Sequence, residues 1–129
     1  MWLDEAALPN LPRPLPLDVN GEWPRERFDA VFTANTLHIM AWPEVETLFA
    51  RLDAVLEPRA MLAVYGPFNY GGRFTSPSNA TFDEWLKRQS PVSGVRDFEA
   101  VHALASAARF KLLDDHAMSA NNRLLIWQR

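Results

Sequence analysis

The sequence predicts an α/β fold in which parallel strands are followed by a C-terminal antiparallel hairpin. A β-rich run at residues 28–34, a helix-periodic segment and an apolar run at residues 60–65 succeed one another with short connections. That order is typical of a parallel strand–helix–strand unit. Residues 110–118 and 122–128 then resemble two strands joined by a short turn.

The helix of this unit is predicted to start at Pro43, because proline suits a first helical position, and to stop before Pro58. One face of it carries apolar residues at helical spacing, namely Val45, Leu48, Phe49, Leu52, Val55 and Leu56. Before the unit, residues 2–7 resemble the end of a helix. Residues 15–19, after a proline-rich stretch, are a candidate short strand.

Two further helices are expected between the apolar run and the hairpin. Thr81 and Glu84 have the spacing of a capping box, which predicts a helix over residues 81–89. Asp97 is a candidate cap for the next helix, whose buried stripe comprises Phe98, Val101, Leu104, Ala105 and Ala108.

The bulk composition indicates one domain, residues 1–129, with enough apolar residues for a core. The net charge of -3 does not favour a nucleic-acid or anionic-membrane partner. No apolar run approaches the roughly 20 residues that span a bilayer, so we expect a cytoplasmic protein. There is no cysteine. The three histidines have no metal-ligand spacing, so no metal site is expected.

Three segments are expected to meet at the carboxyl ends of the strands, where sites of α/β proteins lie: residues 35–39, 66–75 and 119–122. In the first, Asn35 and Thr36 either contact a ligand or cap the coming helix. His38 either acts as a base near neutral pH or covers the first helical turn. The sequence leaves these alternatives even.

The second segment, YGPFNYGGRFT at residues 65–75, has the composition of a binding loop. Asn69 and Tyr70 are candidates for hydrogen bonding to and stacking on a substrate, while Gly71 and Gly72 permit close approach or motion. The alternative is a loop whose aromatic residues only pack on the core. The functional interpretation is favoured.

Asn121 and Asn122, at the hairpin tip, are ordinary turn residues because asparagine tolerates positive φ. Asp18 is likewise more often a turn or cap residue. From the pattern alone, a ligand role for these three is the weaker interpretation.

Three motifs together resemble a known family. ANTLHIM at residues 34–40, YGPFNYGGRFT with SNATFDEWL at residues 65–75 and 78–86, and ANNRLLIW at residues 120–127 are similar to bacterial proteins related to animal methyltransferase-like twenty-six. That family is placed among the class I S-adenosylmethionine-dependent methyltransferases. The resemblance covers residues 8–129.

The resemblance implies a Rossmann-like sheet whose third, fourth and fifth strands correspond to residues 15–19, 28–34 and 60–65. It implies S-adenosylmethionine as cofactor and a small molecule as methyl acceptor. By position, Asp18 and Val19 would lie at the adenine, and Asn35, Thr36 and Leu37 at the methionine part of the cofactor. The acceptor would be contacted by Asn69, Tyr70, Gly71 and Asn121, with His38 and Tyr70 as candidate catalytic residues.

The same resemblance implies an N-terminally incomplete, truncated domain, since nothing before Met1 supplies the first two strands and their glycine-rich loop. Impaired cofactor binding is therefore expected. Residues 28–34 would form an exposed apolar sheet edge that can self-associate. An alternative to a methyltransferase is a non-catalytic module that pairs with another chain through this edge.

Overall fold

The computed structural model describes Pro9 and residues 15–129. The helix end predicted at residues 2–7 lies outside them. The described residues form a four-stranded sheet of order β1-β2-β6-β5 and a small two-stranded sheet, β3-β4. The strands are β1 (Phe28–Ala34), β2 (Leu56–Gly66), β3 (Phe68–Asn69), β4 (Arg96–Asp97), β5 (Lys111–Ala117) and β6 (Arg123–Gln128), and the helices are α1 (Trp42–Leu52), α2 (Pro77–Gln89) and α3 (Phe98–Ala107).

The predicted strand–helix–strand unit is confirmed, because β1 pairs in parallel with β2 and α1 connects them. A 3₁₀ turn, Asp53–Val55, follows α1, so β2 begins earlier than predicted and contains Pro58. Proline is tolerated there because the pairing with β1 jumps from Leu56 to Met61, which leaves the intervening residues outside the regular ladder.

The C-terminal hairpin is also confirmed, with β5 and β6 antiparallel and β6 seated between β5 and β2. Helix α2 starts four residues before the predicted position. Ser76 caps it by accepting a hydrogen bond from the Asn79 backbone N–H at 3.1 Å, and Pro77 occupies the first turn. Asp97 is at the N-cap position of α3, but its side chain makes no capping hydrogen bond.

The predicted strand at residues 15–19 is wrong. Residues 15–18 have no regular structure and a turn follows at Val19 and Asn20. A strand is stabilised by hydrogen bonds to a neighbour. Within the described part of the chain, this segment pairs with none.

Helices α1 and α3 cover the same face of the large sheet. Buried residues of α1, including Phe49 and Leu52, share one core cluster with Val101 and Ala105 of α3. The sheet contributes to this cluster the side chains that alternate toward that face, namely Leu62, Val64, Leu125 and Trp127, all at most 2% exposed. The hydrophobic core therefore lies on one side of the sheet.

The opposite face of the sheet is far more accessible. Phe32 is 67% exposed and Met61 38% exposed, and they sit among half-buried apolar neighbours: Ala63, Leu124 and Ile126. Strand β1 also pairs on one side only within the described residues. Among residues 15–129, the expected apolar edge is thus unpaired, and it continues onto an apolar sheet face that none of these residues covers.

Candidate functional site

A cavity of about 360 Å³ lies at the carboxyl ends of β1 and β2. All three segments predicted to converge contribute to it: Asn35 after β1, Pro67 after β2, and residues 120–122 at the hairpin tip. The first two turns of α2 complete the wall. The full lining is Asn35, Pro67, Ser78, Asn79, Phe82, Ala120, Asn121 and Asn122. We call this space the amide cavity.

The contribution of α2 to the amide cavity was missed from the sequence. The predicted start at Thr81 leaves Ser78 and Asn79 outside the helix. The signal that would have found them is the Ser76–Pro77 pair, a cap followed by a proline, which starts the helix earlier and turns Asn79 inward.

Carboxamide hydrogen bonds tie α2 to the hairpin tip. Asn79 is 5% exposed, and its Nδ2 donates to Thr75 Oγ1 at 3.0 Å and to the Asn121 backbone oxygen at 3.3 Å. Asn121 Nδ2 donates to Ser78 Oγ at 3.1 Å. The two bonds that involve Asn121 join residues more than 40 positions apart, so they fix the shape of the cavity rather than a local turn.

Two walls of the cavity are made by left-handed backbone. Asn35 has φ 55° and its N–H donates to the Tyr65 carbonyl at 2.9 Å, which turns the chain sharply out of β1. Ala120 and Asn121 have φ of 58° and 59° at the hairpin tip. Asparagine accepts this conformation readily, whereas alanine does so with strain, and glycine without any.

The turn that follows β1 is clasped from outside by residues 93–96. Arg96 is the main part of this clasp: its Nε donates to the Leu37 carbonyl at 3.0 Å, and its Nη2 donates to the carbonyls of Met40 and Val92. Burial lowers the pKa of Arg96, with opposing contributions from Asp83 and Asp97. A guanidinium remains charged nonetheless.

Two neutral donors complete the clasp. Ser93 Oγ donates to the Ile39 carbonyl at 2.8 Å, and the Gly94 N–H donates to the His38 carbonyl at 2.9 Å. The Val95 N–H, next in the chain, donates to Asp83 Oδ1 at 2.8 Å and so anchors the clasp to α2. Consecutive carbonyls from residues 37–40 are therefore all satisfied.

His38 lies immediately behind the amide cavity and outside its lining. Its ring is 5% exposed and meets Phe82 edge-on at 5.5 Å, with Gly66 close to Nδ1. Burial lowers the pKa of His38, and the positive charge of Arg96 lowers it further. The imidazole is therefore neutral at neutral pH and able to accept a proton. Its predicted catalytic role stays a prediction.

Three of the residues predicted to hold a cofactor lie together elsewhere. Val19, Thr36 and Leu37 line an apolar hollow of about 250 Å³ between β1, β2 and α1. Thr36 Oγ1 donates to the Ala34 carbonyl at 3.0 Å and accepts from Thr33 Oγ1 at 2.8 Å. Asn35 faces the amide cavity instead, so the two spaces flank a single short turn.

Asp18, the fifth predicted cofactor residue, makes a local turn. Its Oδ1 accepts the Asn20 N–H at 2.9 Å, and its carbonyl accepts the Gly21 N–H at 2.8 Å. This is the turn role that the pattern favoured. The neighbouring Val19 carbonyl accepts from Trp23 Nε1 and Arg51 Nη1, which attaches the turn to α1.

The apolar hollow matches only part of S-adenosylmethionine. Its lining consists of aliphatic and aromatic side chains plus the hydroxyls of Thr33 and Thr36. The cofactor carries an ammonium, a carboxylate, a sulfonium and a ribose diol, which need charged or strongly polar partners when buried. The lining within the described residues offers no charged side chain. These residues alone therefore do not fit the whole cofactor.

The predicted substrate loop is anchored away from both spaces. Tyr70 stacks on Phe98 at 5.2 Å, and its hydroxyl donates to Asp115 Oδ2 at 2.8 Å. Arg123 binds the other oxygen of Asp115 and lies over the Tyr70 ring. Burial, followed by the Asp115 hydrogen bond, raises the pKa of Tyr70 above its usual range, so the hydroxyl keeps its proton.

Gly71 and Asn69 are held in the same way. The Gly71 N–H donates to Glu99 Oε1 at 2.7 Å, and this bond lowers the pKa of Glu99. Asn69 Nδ2 donates to the Val95 carbonyl at 3.4 Å, while its buried Oδ1 finds no donor within residues 15–129. The structure places Asn121 in the amide cavity but not Asn69, Tyr70 or Gly71. Their assigned substrate contacts stay predictions.

The fold is that of the class I methyltransferases. Mitomycin 7-O-methyltransferase MmcR superposes with a TM-score of 0.80 at 18% identity over 99% of this chain and 37% of that one. The S-adenosylmethionine-dependent methyltransferase SibL in its apo form gives 0.78 at 20% identity, covering 99% and 38%. An O-methyltransferase family 2 protein from Planctomyces limnophilus DSM 3776, in complex with apigenin, gives 0.74 at 19% identity, covering 87% and 34%.

These similarities establish a Rossmann-like methyltransferase fold, and the chain spans just over a third of the length of those structures. The chain belongs to the family described as "Protein of unknown function (DUF938)", whose sequence profile matches residues 1–129. In the described part of the chain, none of the helices has the length and apolar character needed to cross a membrane.

The clasp generates a stability prediction. Arg96→Ala removes hydrogen bonds to three carbonyls and should lower the free energy of unfolding by about 3 kcal/mol, the order expected when hydrogen bonds to a charged group are lost. Arg88→Ala, which removes an exposed arginine of α2, should change it by less than about 0.5 kcal/mol. Urea unfolding followed by circular dichroism measures both. Equal stability of the two variants would contradict the role assigned to Arg96.

Proposed function

We propose that this chain carries the acceptor-binding side of an S-adenosylmethionine-dependent methyltransferase that acts on a small molecule. The observation that carries the proposal is the amide cavity: on a methyltransferase fold, polar side chains from three separate segments and α2 meet at the carboxyl ends of β1 and β2. In open α/β sheets ligands bind at this end. The relationship to methyltransferase-like twenty-six belongs to the same proposal.

In this proposal the chain acts mainly by positioning. Bound S-adenosylmethionine supplies the electrophilic methyl group. The rigid carboxamides of Asn79, Asn121 and Asn122 orient the acceptor, which can account for a large part of the rate of a transfer between two bound molecules. His38, neutral and behind Phe82 of the cavity wall, is the residue that we propose to assist removal of a proton.

Cofactor binding is proposed to use the apolar hollow as one wall. Val19, Thr36 and Leu37 would contact apolar parts of the cofactor, and Asn35 would contact the acceptor at the edge where the two molecules meet. The groups that bind the charged ends and the ribose would come from outside the described residues. The turn at residues 35–37 would therefore border both ligands.

Apigenin, found in complex with one of the similar structures, is a probe for the acceptor site. Added to the ¹⁵N-labelled chain, it should shift the side-chain amide resonances of Asn35, Asn79, Asn121 and Asn122 in a heteronuclear correlation spectrum. Asn20, whose side-chain nitrogen donates to Glu44 and which is not among the residues that line the cavity, is the internal control and should not shift.

The place where apigenin binds decides the outcome of this experiment. A larger opening of about 500 Å³, lined by Phe49, Asp53, Leu104 and Arg109 among others, lies away from the strand ends that form the amide cavity. Shifts confined to that opening, or no shift at any concentration that apigenin reaches in solution, would contradict an acceptor site in the amide cavity.

A second candidate function is association through the open side of the sheet. The specific observation is that, in the described part of the chain, the unpaired edge of β1 is continuous with the accessible apolar face around Phe32 and Met61. Strands with free backbone groups pair readily with another chain, and apolar faces add free energy to that pairing. We propose a second copy of this chain as the partner.

Self-association predicts a mass that rises with protein concentration in sedimentation equilibrium. Phe32→Glu should reduce the association constant by roughly tenfold or more, because it places a charge on the contact surface. Phe74→Glu is the matched control and should associate like the wild type. It changes a phenylalanine that is 42% exposed and lies in the loop that follows β2. A wild-type protein that stays monomeric across the concentration range would rule out this function.

A further inference from the structure

Three of the four carboxamides that line the amide cavity, those of Asn79, Asn121 and Asn122, share one arrangement: each uses its nitrogen inside the protein. Asn79 Nδ2 donates to Thr75 and to the Asn121 backbone, and Asn121 Nδ2 donates to Ser78. Asn122 Nδ2 donates to the Tyr65 hydroxyl at 3.1 Å and to the Ser119 carbonyl at 3.3 Å. Within the described residues, no donor bonds the side-chain oxygen of any of the three.

Two of these orientations are fixed by chemistry. A backbone carbonyl can only accept a hydrogen bond, so the atom of Asn79 that faces the Asn121 carbonyl is its nitrogen. The same reasoning orients Asn122 against the Ser119 carbonyl. Reversing either amide would place two acceptors in contact. The side chain of Asn121 faces only the Ser78 hydroxyl, which can donate as well as accept. Its amide orientation is therefore less strictly determined than those of Asn79 and Asn122.

The remaining capacity of the cavity is therefore biased toward accepting hydrogen bonds. An asparagine whose two N–H groups are occupied still offers two lone pairs on oxygen. None of the residues lining the cavity is ionisable, and Phe82 and Pro67 add an apolar surface. The volume, about 360 Å³, falls at the lower end of small-molecule sites.

We infer that the amide cavity selects aromatic ligands that carry O–H or N–H donors and rejects carboxylates and phosphates. The inference rests on the proposed function and specifies its acceptor class: phenols, catechols and aromatic amines. Such donors satisfy the free asparagine oxygens, and the ring packs against Phe82. An anion would face the side-chain oxygens of Asn79, Asn121 and Asn122, and the described lining residues include no cationic side chain that would compensate its charge.

The inference also links binding to chemistry. The atom that receives a methyl group in O- or N-methylation is the oxygen or nitrogen that carries the donor proton. A site that recognises O–H or N–H therefore holds the reacting group itself. A ligand that has already been methylated at that position loses its donor, so product binds more weakly than substrate at the same place.

Three small probes of one size test the ligand class. Catechol has two O–H donors, 1,2-dimethoxybenzene has the same ring with none, and benzoate carries an anion. Titrations followed on the side-chain amide resonances of Asn79, Asn121 and Asn122 should give saturable shifts with catechol at about 1–10 mM. The dimethyl ether should bind at least about tenfold more weakly, and benzoate should cause no shift up to the same concentration.

Two variants at left-handed positions provide a matched pair. Asn121→Gly relieves the backbone conformation at φ 59° and removes one carboxamide, while Ala120→Gly relieves φ 58° on the same wall and removes no acceptor. Asn121→Gly should weaken catechol binding about three- to tenfold. Ala120→Gly should leave it unchanged, and both should fold because glycine adopts this conformation freely.

The outcomes separate the inference from the proposed function. Equal binding of catechol and its dimethyl ether in the amide cavity would overturn the donor preference and leave an acceptor site there. Binding of benzoate as tight as that of catechol would overturn it as well. If catechol shifted none of the cavity resonances, both the inference and the proposed acceptor site would fall together.

Discussion

The contact on which the site depends most is the clasp of residues 93–96 on the carbonyls of residues 37–40. Arg96 supplies the charged donors, and Ser93 and Gly94 supply the neutral ones. Without these bonds a short turn at the end of an edge strand would carry several unsatisfied carbonyls. With them, these carbonyls are satisfied, and Asn35 and His38 are held in place at the end of the first strand.

That fixed turn separates two chemically different spaces. Asn35 faces the amide cavity, while Thr36 and Leu37 face the apolar hollow. A transfer reaction needs two molecules held in contact, and under the proposed function a rigid turn that borders both spaces would orient the two molecules toward each other at little entropic cost. The hydrophobic core lies on one side of the sheet only. Helices α1 and α3 cover that face, and the apolar residues of the other face remain accessible.

Much of this architecture could be predicted from the sequence, because strand alternation and helical periodicity are local signals. The run at residues 28–34 became β1 with the predicted bounds, and the hairpin formed as expected. The strand at residues 15–19 was not formed, since pairing depends on a neighbour that composition does not reveal. The start of α2 was misplaced because a plausible capping box at Thr81 competed with the stronger Ser76–Pro77 signal.

The location of the site could be predicted from the sequence, but several of the residues that form it could not. Loop composition drew attention to Asn69, Tyr70 and Gly71, yet their partners, Val95, Asp115 and Glu99, come from distant segments that no local pattern identifies. Asn79 was overlooked because the start of α2 was misplaced, which left this residue outside the predicted helix. Side-chain partnerships across 40 residues are a property of the folded chain.

The central claim is that the described residues hold the acceptor side of a methyltransferase site and only an apolar wall of the cofactor side. Isothermal titration calorimetry of S-adenosylmethionine into the 129-residue chain tests it most directly. The account predicts a dissociation constant weaker than about 100 μM, or no measurable heat, because none of the described residues that line the hollow is charged. A dissociation constant in the low micromolar range would contradict it.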